Sequence, residues 1–438
     1  MARARRILHI DMDAYFAALE AQACPSLAGV PLVVGALPGS RGVVASASYE
    51  ARAFGIRAGM PVAQAQRMAP QVQFVSCHPS LYIHTSRLIL KHLLETTSQV
   101  EMFSIDEAYL DITDLLSRDP ADPASWKQIE ALAHEISGSI ERRFCLTCSV
   151  GAGPNKLIAK MASKVKKPRG VTLLGNDCFR RRFWSKPVEV LYGVGKKTAS
   201  SLMIFGIETI GELAEASVEF LQRHFGLYGT ALHAMAWGQD ESSIVPSHAA
   251  PPAKSLGHEH TLQSDLHSPA EGEALLLALA DRVGEDLRCE GYAGRRVAIR
   301  VRHSDFSNLT RQRMLEGPTQ ETRDIYRGAR DLFRANYCGD GIRLLGITVG
   351  DLIPTRGREQ LKLFPEDRRY RDLLATLDRI RDQYGRCSIF PAGALRQVRH
   401  RGQGITPRVT RRHGAHVPAP PPAASIPTGR RDDHAPEA

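Results

Sequence analysis

Paired cysteines are missing from this 438-residue chain: its eight cysteines stand singly, apart from Cys145 and Cys148 in the run FCLTCSVG. That argues against a disulfide-stapled extracellular scaffold, and a reduced, cytoplasmic compartment is the simplest setting. The Cys145 and Cys148 pair has no second ligand pair and lies in an apolar, β-prone run leading into Gly151, so it reads as buried strand rather than a zinc or redox site. Long apolar runs are also lacking, and no membrane span is expected. The basic start, Met1 to Arg6, gives way after Ile7 to Ile10 to Asp11 and Asp13, which leaves no apolar signal core. No G-X-Y period and no sustained heptad is present, so collagen and coiled coil are excluded. At about 100–200 residues per domain, the length predicts two to four globular domains.

What is present is positive charge, 57 Lys plus Arg against 47 Asp plus Glu, a formal excess of +10. A basic balance points to a polyanion, nucleic acid above all. Its distribution qualifies this: residues 1–240 carry 26 basic and 22 acidic side chains, residues 241–355 carry 14 and 16, and residues 356–438 carry 17 and 9. Most of the excess therefore belongs to the last fifth of the chain.

Hydrophobic periodicity predicts a mixed α/β body. Strands are expected at 6–12, 31–35, 43–47 and 146–151, a hairpin at 100–103 and 108–112 with SIDE between its arms, and helices at 14–24, 63–68, 81–96, 126–144 and 155–165. Residues 188–238 are short, helical and punctuated by glycine, and the polar, proline-bearing stretch 239–252 reads as a linker. Strands at 255–261, 297–303, 309–315 and 344–349 and helices at 269–288 and 320–335 follow in βαββαβ order, an antiparallel sheet backed by two helices. An Arg-rich tail with a short helix at 370–384 comes next, and beyond about residue 405 a Pro/Ala-rich segment reads as disordered.

Carboxylates sit where chemistry could use them. Asp11 and Asp13 end the first strand, Asp106 and Glu107 lie in the hairpin turn, and Asp111 lies beyond. If that strand lies beside the hairpin, Asp11, Asp106 and Glu107 converge, and three unpaired acids at one spot are costly without a cation. Hard oxygen ligands of this kind suit Mg²⁺. The alternative is a set of solvated turn acids, since Asp is common in turns.

The strings HIDMDAYFAALE (9–20), ASASYEARAFGIRAGMP (45–61), SIDEAYLDIT (104–113), SVGAGPNKLIAKMASKVKKPRG (149–170) and LYGVGKKTASSL (191–202) strongly resemble the Y-family translesion DNA polymerases, in particular the DinB class. The resemblance covers residues 1 to about 240 well and continues more weakly to about 355. It implies a polymerase right hand: palm at 1–19 and 75–170, small fingers at 20–74, helical thumb at 171–240, linker at 241–252 and little finger at 253–355. It implies Asp11, Asp106 and Glu107 as catalytic, metal-binding carboxylates for two Mg²⁺ ions, with the backbone carbonyl of Met12 as a further ligand. Phe16 matches the steric gate that excludes a ribose 2′-OH, though by itself it would read as a core aromatic. Tyr49, Arg52, Lys167 and Ser46 match residues that bind the incoming triphosphate, as phosphoryl transfer requires. One departure is the turn Lys167-Pro168-Arg169-Gly170, where the family's usual third residue is asparagine.

DNA contacts are expected from three places. Residues 156–186 hold ten basic side chains against one acid, Asp177. Gly193, Gly195, Lys196 and Lys197 resemble a helix-hairpin-helix, whose amides and helix N-terminus can meet a phosphate. In the last domain Arg300 and Arg302 alternate with Val297, Ile299 and Val301, and Arg311 and Arg313 are expected to continue that stripe on the next strand. Gln360-Leu361-Lys362-Leu363-Phe364 is similar to the QLxLF peptide by which bacterial polymerases bind the sliding clamp, with Gln360, Leu361, Leu363 and Phe364 as its contacts. The expected partners are primer–template DNA, dNTPs and the clamp, with the protein acting as a monomer. The rivals are a catalytically inactive polymerase-fold adaptor, which the intact carboxylates disfavour, and a helix-hairpin-helix nuclease, which SIDEAYLD and SYEAR disfavour.

Overall fold

A computed structural model describes residues 5–116, 122, 124–249, 251–337, 339–355, 365–386 and 388–394. Strand β1 (Ile7–Met12) is wholly buried, and the chain leaves it through Ala14, at a left-handed φ of 46°, into helix α1 (Tyr15–Ala23). A small unit follows, made of β2 (Leu32–Gly35), β3 (Val44–Ala47), α2 (Tyr49–Ala53), α3 (Val62–Met68) and β4 (Gln73–Ser76). Its sheet, ordered β3-β2-β4, packs on a core of its own that includes Val33, Val44 and Ile56. The chain then returns through α4 (Pro79–Leu93), β5 (Val100–Met102), β6 (Glu107–Asp111), α5 (Ser125–Phe144), β7 (Cys148–Gly153), α6 (Lys156–Ser163) and β8 (Val171–Leu173).

These strands form a five-stranded sheet, β5-β6-β1-β7-β8, with β1 central and antiparallel to both neighbours. The period-2 alternation of β1 divides its side chains between two faces. Leu8, Ile10 and Met12 join the main core with Ile89 of α4 and Ile129 and Ile136 of α5, whereas Ile7 packs with Tyr109 and Ala159 of α6. α6 seats closely because of Gly151, where an added Cβ would lie 2.0 Å from the carbonyl oxygen of Ala159. His9 and Asp11 thus share the face that α6 covers.

The expected buried strand around the cysteine pair needs correction. Cys145 closes α5 at φ 52° and is exposed, and only Cys148 is in β7. A residue ending a helix takes up the left-handed turn that redirects the chain, and the strand begins after it.

Helices α7 (Asn176–Phe183), α8 (Lys196–Ile204), α9 (Ile210–Glu215), α10 (Val218–Phe225) and α11 (Leu227–Ala236) enclose a separate core. The expected linker is pinned to the five-stranded sheet: Val245 N donates to Glu101 (2.8 Å) and the Ser247 hydroxyl to the Val100 carbonyl (3.1 Å). Its polarity serves backbone-to-side-chain bonds rather than solvation alone.

The last unit runs β9 (Ser255–Leu266), α12 (Pro269–Glu290), β10 (Tyr292–His303), β11 (Asn308–Thr319), α13 (Thr322–Asn336) and β12 (Ile342–Pro354), with an antiparallel sheet ordered β11-β10-β12-β9. The βαββαβ order is as expected, but every strand is longer than its alternating segment, because ladder pairing continues through Gly and Arg positions that carry no apolar signal. Helix α14 (Pro365–Tyr384) extends further back than the expected 370–384 and lies against this unit. Arg288 of α12 grips Asp378 with two hydrogen bonds (2.6 and 2.9 Å), and the 97%-buried Arg381 donates to Asp281 (2.7 Å) and to the Ile389 carbonyl (3.0 Å). Part of the expected tail is therefore folded. The expected clamp peptide, Gln360, Leu361, Leu363 and Phe364, and the Pro/Ala-rich end fall outside the described residues. Among the described residues no helix is long and apolar enough to cross a membrane.

Candidate active site and nucleic-acid interface

Register brings the acids together. Asp11 of β1 pairs directly with Glu107 of β6, and the Met12 amide donates to the Asp106 carbonyl (2.9 Å), which ties the hairpin turn to the end of β1. Directly paired residues of an antiparallel ladder project to one face, so Asp11 and Glu107 are neighbours. Burial pushes the Asp11 carboxyl up to about 6, with Lys167 pulling it back and Glu107 and Asp106 adding to the rise. Burial likewise raises Asp106, partly offset by the Ser104 hydroxyl, which bonds its Oδ1 at 2.6 Å. Mutual repulsion of buried acids is the condition a divalent cation relieves, and the donors are hard oxygens, which fits Mg²⁺. Their oxygens are nevertheless not gathered: among the described residues no three His, Cys, Asp or Glu side chains form a ligand set. Two of the acids are met by lysines. Lys167 is hydrogen-bonded to Asp11, and Lys160 Nζ lies 2.7 Å from Glu107 Oε2.

Sequence reasoning gave Asp13 and Lys160 no role here. Asp13 is a buried hub: Oδ1 accepts from the hydroxyls of Ser149 (2.8 Å) and Tyr49 (3.1 Å), and Oδ2 from the Arg169 amide (2.9 Å). It joins the start of α2, the end of β1 and the Lys167 turn. Arg169 sits there at φ 60°, a left-handed position that asparagine tolerates better than arginine. The departure from the family's asparagine thus falls on a strained residue, and the amide that matters is one any residue supplies. Lys160 was counted among ten basic residues expected to face DNA phosphates. It is 4% exposed, while Lys156 bonds Glu101 (2.8 Å) and Lys167 bonds Asp11. Lys164, Lys166, Arg169, Arg181, Arg182 and Lys186 are the exposed members of that run. A count of charges in sequence cannot separate lysines paired to buried acids from those facing solvent.

Three of the expected nucleotide residues, Tyr49, Lys167 and Arg52, lie around the same hub. Tyr49 and Lys167 both reach Asp13 Oδ1, the latter at 3.9 Å, and Arg52 lies over the Tyr49 ring (4.6 Å) while donating to the Ala47 carbonyl (3.0 Å). Ser46 is buried on β3, next to Ala47. Phe16 stacks on Tyr82 with centroids 4.3 Å apart, and Tyr82 is fully buried, so the Phe16 ring is backed by a rigid wall.

The glycine-rich turn is exposed as expected. Gly193 has φ 94°, Gly195 caps α8, and Lys196 and Lys197 form the exposed first turn of that helix. Such a helix start offers free amides and a positive dipole end. The arginine stripe needs correction. Arg311 pairs with Ile299 and Arg313 with Val297, so both share the helix-covered face, where they bond Asn336 (3.1 Å) and Asp331 (3.2 Å) of α13. Arg300 and Arg302 pair with Thr310 and Asn308 and project from the open face. The expected repeat counted residues along each strand, but the ladder register puts the arginines of β11 on the other side. On the open face Arg300 meets Glu259 (3.1 Å) across Gly346, where a Cβ would lie 2.6 Å from Glu259 Cγ.

With this geometry in hand, similarity to known proteins is informative. The impB/mucB/samB family matches residues 10–164, and its C-terminal domain matches residues 253–363, which leaves α14 beyond the matched region. DNA polymerase IV of Pelotomaculum thermopropionicum is 36% identical over 401 residues, covering 89% of this chain and 97% of the relative. DNA polymerase IV of Moorella thermoacetica is 37% identical over 393 residues, covering 89% and 96%, and DNA polymerase IV 1 of Bacillus subtilis is 34% identical over 408, covering 92% and 96%. Among solved structures, a Y-family DNA polymerase chimera superposes with a TM-score of 0.70 at 24% identity, over 80% of this chain and 99% of the chimera, which is a likeness of fold.

Proposed function

From the premise that the chain belongs to the impB/mucB/samB family and is a Y-family DNA-directed DNA polymerase, we propose that it extends primers past damaged template bases, with low processivity and fidelity, by two-metal nucleotidyl transfer. The observation that carries the reaction is the direct pairing of Asp11 with Glu107, with Asp106 tied to the end of the same strand. Asp11, Asp106, Glu107 and the Met12 carbonyl would hold two Mg²⁺ ions. Bound there, Mg²⁺ supplies activation of the primer 3′-hydroxyl and stabilisation of the departing pyrophosphate.

The chain's own groups do the positioning. Lys167 turns from Asp11 toward the terminal phosphates of the incoming dNTP, and Tyr49 and Arg52, with the Ser46 hydroxyl, clamp the same group. The Phe16 ring, backed by Tyr82, closes the space a 2′-OH would need. Gly193, Gly195, Lys196 and Lys197 hold the backbone of the duplex from the thumb, and Arg300 and Arg302 hold it from the little finger. The sliding clamp would recruit the enzyme through Gln360, Leu361, Leu363 and Phe364. It works as a monomer in the cytoplasm.

Primer extension with purified protein, Mg²⁺ and dNTPs on intact and damaged templates tests this. Extension is expected from the wild type and its loss, by about three orders of magnitude or more, from Asp106→Asn with DNA binding retained. A wild type that binds DNA but never extends would instead support the adaptor. In the same assay Phe16→Ala should incorporate ribonucleotides, and replacing Leu363 and Phe364 by Ala should abolish clamp stimulation while leaving unassisted extension intact. Unchanged sugar selectivity or undiminished stimulation would remove those two assignments.

A further inference from the structure

Lys160 lies where three parts of the molecule meet. Its ammonium bonds Glu107 of β6 (2.7 Å), faces His9 Nε2 of β1 (3.4 Å) and lies over the rings of Phe103 (4.6 Å) and Tyr192 (5.2 Å). The His9 tautomer follows from its neighbours. Ser163 Oγ donates to the Lys160 carbonyl (2.9 Å), so it accepts from His9 Nδ1–H (2.8 Å), which leaves the Nε2 lone pair facing the ammonium. Tyr192 belongs to the other unit: it immediately precedes Gly193, whose carbonyl accepts from the Tyr228 hydroxyl (2.8 Å). The Tyr192 ring also packs edge-on to Phe103 at 6.4 Å.

A buried lysine is costly unless its charge is matched, and here Glu107 supplies the full opposite charge. A divalent cation held at the carboxylates would compete with Lys160 for Glu107. With that carboxylate taken by an ion, the ammonium would be left with the His9 lone pair and two ring faces, and a cation over an aromatic face is held by the ring quadrupole. One of those rings is carried by the glycine turn that would grip duplex DNA. Its position therefore decides how well the ammonium is held once Glu107 is released.

We infer that Tyr192 and Lys160 are a positioning pair that couples duplex binding at the Gly193–Gly195 turn to divalent-cation binding at Asp11, Asp106 and Glu107. The inference rests on the metal-site reading above. Duplex bound at the turn fixes Tyr192 over the ammonium and frees Glu107, so DNA raises cation affinity, and by linkage the cation raises DNA affinity by the same factor.

The test is Mn²⁺ binding followed by electron paramagnetic resonance on the full chain, with and without a dideoxy-terminated primer–template, so that no turnover occurs. Asp106→Asn on the same DNA serves as the baseline for ions bound by phosphates. DNA is expected to tighten Mn²⁺ binding in the wild type by about five-fold or more. Tyr192→Ala should lose this enhancement and Tyr192→Phe, which keeps the ring, should retain it. Lys160→Met, which removes the competing charge, should bind Mn²⁺ more tightly than wild type without DNA and respond little to DNA. The reciprocal measurement, DNA affinity by fluorescence anisotropy with and without Mn²⁺, should show the same factor and the same loss in Tyr192→Ala. Equal enhancement in wild type and Tyr192→Ala, or weaker Mn²⁺ binding by Lys160→Met, overturns the coupling while leaving the metal site standing. Wild-type Mn²⁺ binding no greater than that of Asp106→Asn overturns the metal site and the coupling with it.

Discussion

Among the described residues two sets of ion pairs on buried or half-buried acids differ in which cation they use. In the five-stranded sheet the acids Asp11 and Glu107 are met by Lys167 and Lys160. Around α12 and α14 the acids are met by arginine: Arg381 on Asp281, Arg288 on Asp378, and the half-exposed Arg386, just past α14, on Asp286 (2.7 Å) and Glu285 (3.1 Å). Lysine is a point charge on a flexible stem, whereas the arginine fork binds two acceptors at fixed angles. Arg381 uses its fork in full, on a carboxylate and a backbone carbonyl at once, and has nowhere else to go. Lys160 and Lys167 each make one strong contact, which under the proposed function a metal ion or a phosphate would replace. On that proposal the lysine pairs would be exchangeable, whereas the arginine pairs are structural.

The largest effect that would break this contrast is at Arg381. Arg381→Ala leaves the Asp281 carboxylate buried with much of its charge unmatched, and the last unit should lose about 3–5 kcal/mol, seen in urea unfolding together with faster proteolysis at α14. A loss under about 1 kcal/mol would mean that α14 is only loosely docked.

One acid from each set, Asp11 and Asp286, should respond to pH in opposite directions, while burial raises Glu285 as it raises Asp11. Asp11 is raised to about 6, above its unfolded value of 3.8. Its ionised form therefore costs stability: the contribution is fully present below the unfolded value and is lost as pH rises through about 6. Asp11→Asn should accordingly be more stable than wild type by about 1–3 kcal/mol at about pH 8, with the gain fading as pH falls toward the unfolded value. Asp286 behaves the other way. Burial raises it, but the His258 hydrogen bond and the Arg386 charge outweigh burial and hold it below the usual carboxylate range. Its contribution is present above the unfolded Asp value and is lost as pH falls below it. Urea titrations of wild type, Asp11→Asn and Asp286→Asn across pH check both signs, and parallel trends would remove the contrast.

The smallest effect separates paired surface arginines by face. Arg300→Ala and Arg302→Ala should each lower the slope of log affinity for DNA against log salt by about 1, with stability nearly unchanged. Arg311→Ala and Arg313→Ala, on the helix-covered face, should leave the slope alone. Equal losses from all four would mean that DNA wraps the edge strand β11 instead of lying on the open face.

Much of the architecture is legible in the pattern of residues. The run ILHI of β1, the SIDE turn and the βαββαβ order all follow from period and turn chemistry, because each is set within a few residues. Cys145 shows the limit: the expected bounds put it between a helix and a strand, but its apolar neighbourhood does not reveal that it is exposed in a left-handed turn at φ 52°. Arg311 and Arg313 show another, since alternation fixes which residues share a face within one strand but not how two strands are aligned.

The sequence by itself determined the chemistry on offer: which carboxylates, which lysines, and the glycine turn that a phosphate backbone can approach. Tertiary structure alone decided their pairing. Asp11 lies 96 positions from Glu107 in the chain yet pairs with it directly, and Lys160, which looks in sequence like one more DNA-facing lysine, is buried against Glu107 and the Tyr192 ring. Charge is a property of a residue, but its partner is a property of the fold, because Coulomb energy depends on distance and burial and neither is written in the order of the letters.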